Sequence, residues 1–127
     1  MKKVIALVFA VIGTALTVNA QTETESIKLI SLEQTPGEFT KKQVTVNEGI
    51  YVFEISNNNV GHDVGFVLVE KGKDISKPEN HIQTAYVTEV VASGKTQKSK
   101  PTSLTKGEYV YFCPMNPTAT DNLLIVK

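Results

Sequence analysis

The chain of 127 residues has a single cysteine, no tryptophan and no arginine, so its thirteen basic side chains are all lysine. Without arginine there is no planar fork to read phosphates in pairs, and the lysines do not cluster, which disfavours nucleic acid as a partner. Only two histidines occur, His62 and His81, and neither follows Cys113. One cysteine cannot close an internal disulfide, which leaves it four fates: pairing with another chain, a reactive thiol, a metal ligand, or inert packing as a small hydrophobe. No internal repeat, low-complexity tract or long helical pattern is present. Outside the first twenty residues no apolar run is long enough to span a bilayer.

Those first twenty residues read as an export signal. Lys2 and Lys3 precede an apolar run from Val4 to Val18, broken by Gly13, Thr14 and Thr17, and Val18-Asn19-Ala20 offers a small-residue cleavage site. As a membrane anchor the run is short and meets a polar segment at once. No cysteine follows the cleavage site to take a lipid. The expectation is a signal peptide over residues 1–20, a periplasmic location, and a mature chain 21–127 forming one soluble, monomeric domain. Cleavage leaves 11 lysines against 13 acids, a net charge of −2.

After a polar start at residues 21–26, short β-rich runs alternate with turn residues. Strands are expected at Ile27 to Leu32, around Val44 and Val46, and at Ile50 to Ser56. Further strands are expected at His62 to Glu70, Thr84 to Val91, Lys98 to Leu104, Glu108 to Cys113 and Leu123 to Lys127. Lys71 to Gln83, rich in Lys, Asp, Pro and Asn, is a short helix or an irregular excursion. Seven or eight short strands with polar turns describe an all-β sandwich. Residues two apart share a strand face, which groups Tyr51 with Phe53 and Ile55, His62 with Val64, Phe66 and Leu68, and Tyr109 with Tyr111 and Cys113. His62 begins its core face and Cys113 ends its own. If the two strands are antiparallel neighbours, imidazole and thiol meet at the rim of the core.

Several stretches resemble the cupredoxins, the plastocyanin- and azurin-like copper proteins. Phe39, Val44, Val46, Gly49, Phe53, Ile55 and Asn57 look like the family's early strands. "NNNVGHDVGF" looks like the loop and strand carrying its first histidine ligand, and "KGEYVYFCP" like its penultimate strand ending in the cysteine ligand. The resemblance implies a cupredoxin-like Greek-key sandwich, with His62 and Cys113 as copper ligands. Most members use two histidines, a cysteine and a long axial methionine. In a plastocyanin-like loop the second histidine would fall at Asn116 and the methionine at Asp121, so the type 1 loop is degenerate.

Met115, the sole methionine after the signal, lies two residues beyond Cys113 and is a third candidate donor; otherwise it is a loop hydrophobe. Thiolate, thioether and imidazole suit Cu(I). Asn116 shapes the loop before Pro117 or supports Cys113 through its backbone. His81 and Asp63 read as solvated, and Asp121 as the acid nearest the rim. Apart from Cys113 with His62, no nucleophile and base are legible, so an enzyme is not expected. The expected function is copper binding through His62, Cys113 and Met115, for electron transfer or copper handling with a redox or copper-donor protein. The alternative is a metal-free interaction or structural module on the same fold.

Overall fold

A computed structural model describes residues 26–127, so the expected signal peptide lies outside the described residues. Among the described residues, nine strands form two mixed sheets. They are β1 (Lys28–Thr35), β2 (Glu38–Phe39), β3 (Gln43–Val46), β4 (Gly49–Asn57), β5 (Val67–Glu70), β6 (Thr96–Lys98), β7 (Thr102–Leu104), β8 (Gly107–Phe112) and β9 (Asn122–Val126). One sheet has the order β3-β9-β8-β5. The other runs β2-β1-β4-β6, with β7 also on β4. β8 is antiparallel to both β9 and β5, whereas β1 lies parallel to β4 and β9 parallel to β3.

Period-two alternation sets what faces the space between the sheets. Tyr51, Phe53 and Ile55 of β4, Tyr109 and Tyr111 of β8, and Val64, Phe66 and Leu68 are all buried there. Phe66 is its aromatic centre, with ring centroids 5.0 Å from Phe53, 5.9 Å from Tyr111 and 6.1 Å from Phe39. Phe39 stands edge-on to Tyr111 at 5.0 Å.

Three expected strands differ. His62 to Glu70 is ladder only from Val67, preceded by an isolated bridge from Val64 to Val91. Its Gly65 directs both backbone groups elsewhere, the N–H to the Cys113 sulfur and the carbonyl to Gln34. Thr84 to Val91 is no strand: a 3-10 turn at Gln83–Ala85 is followed by single bridges at Val87 and Val91, which pair with Ser99 and Val64. Lys98 to Leu104 divides into β6 and β7, because Pro101 has no N–H to give the ladder. Across the break Ser99 Oγ accepts the Phe53 N–H at 2.9 Å.

The excursion 71–86 covers the outer face of the β5–β8 pair. Val67, Val69, Val110 and Phe112 point away from the main core yet are buried, packed with Ile75 and Tyr86 in a second small cluster. That layer leaves the end of β8 and the start of β5 as one rim of the sandwich.

Candidate metal centre

Antiparallel pairing of Phe112 with Val67 brings the residue after β8 beside the residues before β5. Cys113 and Gly65 meet there, at the same edge where β1 and β4 end in the paired residues Gln34 and Asn57. Cys113 is buried, and its Sγ accepts three backbone N–H groups: Gly65 at 3.3 Å, Met115 at 3.4 Å and Asn116 at 3.3 Å. Two come from the tight turn that follows β8 and wraps the chain about the sulfur. The third comes across from the β5 approach. Three donors converging on one sulfur suit a sulfur that carries negative charge. The Cys113 N–H itself donates to Thr118 Oγ1 at 3.2 Å, closing the base of the loop.

His62 sits on the loop after β4, which Asn57 shapes. Asn57 Nδ2 donates to the His62 carbonyl at 2.8 Å and the Val91 carbonyl at 2.9 Å, while Oδ1 accepts the Val60 N–H at 3.0 Å. The imidazole is exposed, and its polar contact is Nδ1 with the Asp63 carbonyl at 2.9 Å, not with the sulfur. Met115 is brought to Cys113 through its backbone; the residue is 45% exposed, with its side chain near Pro114 and Gly65. Cys113 and Met115 thus share one turn, with His62 on the neighbouring loop.

Asn116 turns inward. It is 1% exposed; Oδ1 accepts the Gly37 N–H at 2.8 Å, and Nδ2 donates to the Thr35 carbonyl at 3.0 Å and Gln34 Oε1 at 3.1 Å. Its backbone supports the sulfur, as one of its two sequence readings has it. Asp63 and Asp121 are exposed. His81, expected to be solvated, is instead half-buried in the excursion, with Nδ1 on Tyr86 Oη at 2.7 Å and Nε2 on the Ile75 carbonyl at 2.8 Å. Both ring nitrogens are used, so His81 is a brace and not a free donor.

Gln34 escaped the sequence reading. It is fully buried, and Nε2 donates to the Gly65 carbonyl at 2.8 Å. A signal existed: Gln34 continues the inward set of Ile30 and Leu32 on β1, and an amide on a core face needs buried partners.

Tested against copper, the donors divide. A thiol, a thioether and an imidazole lie on adjoining segments, and these are donor types that suit Cu(I). A four-ligand Cu(II) centre does not fit, because Asn116 is committed inward and Asp121 replaces the thioether. Among the described residues no group of three or more His, Cys, Asp or Glu side chains is placed to hold an ion.

A sequence profile described as copper binding proteins, plastocyanin/azurin family, matches residues 17–121. Comparison with curated proteins found no match. Among solved structures, auracyanin B is similar at 18% identity and TM-score 0.63, over 83% of this chain and 91% of that one. Auracyanin A, a "blue" copper protein from Chloroflexus aurantiacus, is similar at 16% identity and TM-score 0.64, over 80% of this chain and all of that one. At these identities the likeness bears on the sandwich alone.

Proposed function

The chain belongs to the plastocyanin/azurin family of copper binding proteins, and from that premise we propose an exported, periplasmic, monomeric copper protein working in electron transfer or copper handling. Cys113, His62 and Met115 hold one ion, and Cu(I) is preferred to Cu(II). A redox protein or a copper donor is the partner. The observation that carries this reading is the Cys113 sulfur at the rim with three N–H groups aimed at it.

Each residue has a separate task. Cys113 contributes the thiolate, and the three donors spread its charge and fix its direction. His62 contributes an imidazole whose one polar tie among the described residues is to the carbonyl of the next residue, so a side-chain rotation frees it. Met115 contributes a thioether from an exposed residue whose own N–H bonds the Cys113 sulfur. Bound copper would supply one-electron chemistry or be the cargo itself.

Asn116 favours a second reading. Its buried amide commits both N–H donors and one oxygen lone pair to the protein, at the place where the family's second imidazole falls. A sandwich that kept the fold and released the metal, to serve as an interaction or structural module, has this same arrangement.

Anaerobic titration with Cu(I) against a competing chelator separates the two. Wild type should take one equivalent, Cys113→Ser none, and His62→Ala or Met115→Leu should bind more weakly. Cu(II) should give no intense blue colour, or be reduced: two Cu(II) ions each take one electron from a thiolate, leaving two Cu(I) and a disulfide between two chains. A stable, strongly coloured Cu(II)–thiolate species would refute the reading. Failure to bind either oxidation state leaves the metal-free module.

A further inference from the structure

The three sulfur donors are not independent of one another. Two of them, the N–H groups of Gly65 and Asn116, belong to residues joined through a single buried side chain on the opposite sheet. Gln34 Nε2 holds the Gly65 carbonyl at 2.8 Å, and Gln34 Oε1 accepts from Asn116 Nδ2 at 3.1 Å. Asn116 is in turn anchored on the β1–β2 turn through Gly37 N–H and the Thr35 carbonyl.

The orientation of both amides follows from backbone groups of a single sign at each end of the chain of bonds. Gly37 N–H can only donate, so it fixes Asn116 Oδ1 toward itself and Nδ2 toward Gln34. The Gly65 carbonyl can only accept, so it fixes Gln34 Nε2 toward itself and Oε1 toward Asn116. The two requirements agree in the middle, where donor meets acceptor. Either amide reversed would set like groups against each other in a buried place, which such networks do not tolerate.

The geometry points to Gln34 as a positioning residue of the sulfur site, holding Gly65 from one side and Asn116 from the other so that their N–H groups stay on Cys113 Sγ. Gln34 itself makes no bond to the sulfur and acts only through these two residues. As far as metal is concerned the inference rests on the copper reading, but the device exists in the metal-free protein and is tested there. An aliphatic side chain at position 34 would fill the space and satisfy ordinary packing. Only a side chain whose tip carries both a donor and an acceptor bonds Gly65 and Asn116 together.

The test compares wild type with Gln34→Met, which keeps the length and removes both polar atoms, and with Ile30→Val, a packing change on the same face of β1. Amide hydrogen exchange of the metal-free proteins is followed by nuclear magnetic resonance. In Gln34→Met the Gly65 and Asn116 amides should exchange at least about tenfold faster relative to β4 and β8 amides, as loss of a buried bond requires. Ile30→Val should speed all four sets alike. Uniform acceleration in Gln34→Met would make Gln34 a packing residue and overturn the proposal. If Gln34→Met does not fold, the wild type decides: the Gln34 side-chain amide protons should be slowly exchanging, and fast exchange would overturn the inference. Cu(I) affinity under chelator competition should fall about tenfold or more in Gln34→Met, the size expected for residues that orient ligands, and be unchanged in Ile30→Val. Wild type that takes no Cu(I) removes the copper reading while the exchange result still decides for or against Gln34.

Discussion

Tyr111 shows at one residue how core and site depend on each other. It lies on β8 two residues before Cys113, is 1% exposed, stands edge-on to Phe39, and donates its hydroxyl to the Lys41 carbonyl at 2.6 Å. Removing the ring leaves a cavity between the sheets, so Tyr111→Ala should cost about 3–5 kcal/mol in chemical denaturation; a loss below about 1 kcal/mol would contradict its place in the core. Burial also pushes its hydroxyl up to about 12, whereas in the unfolded chain it ionises near its ordinary value of about 10. Between those values the folded protein keeps a proton that the unfolded chain has lost. The associated stability is therefore whole below about pH 10 and declines as pH rises through about 12. Denaturation midpoints across that range should fall in wild type and fall less steeply in Tyr111→Phe.

Between the strands, the excursion 71–86 carries its own prediction. It covers the outer face of β5 and β8 with Ile75 and Tyr86, and His81 ties its two ends by bonding the Ile75 carbonyl and Tyr86 Oη. The His81 ring also stands edge-on to Phe112, the residue before Cys113, at a centroid distance of 6.2 Å. His81→Ala strands the Ile75 carbonyl and the tyrosine hydroxyl, a loss of about 1–3 kcal/mol. Amide exchange should rise first in residues 75–86 and leave β1 and β4 protected; uniform loss of protection would show that the excursion is not a separate layer. This cover was the least legible element. Its Lys, Asp, Pro and Asn content reads as solvent-facing, and most of it is, so one histidine and two apolar residues were too sparse to register as a packed layer.

For the whole molecule, export and architecture are separate claims. If residues 1–20 act as a cleaved signal, the exported protein should begin at or within a few residues of Gln21, which intact mass will show; retention of residues 1–20 in the soluble form would contradict the signal peptide. The sandwich was legible because alternation records burial locally. Tyr51, Phe53 and Ile55, or Tyr109, Tyr111 and Cys113, declare a shared face without any partner being known. Cys113 was legible for a different reason: a lone cysteine at the end of a tyrosine-rich strand stands out by composition.

Local alternation and composition thus suffice for the all-β class, the inward faces of β4 and β8, and the position of the sulfur at a rim. What surrounds that sulfur depends on contacts between distant parts of the chain. Gly65 reaches it across 48 residues of chain, and the Asn116 amide meets Gln34 across 82. Bonds between backbone and amide groups so far apart leave no period in the sequence, because they depend on which strand ends the sheets bring to one edge. For the same reason the backbone support of Cys113 by Asn116 is readable in the chain, while the anchoring of its side chain on Gln34, Thr35 and Gly37 is not.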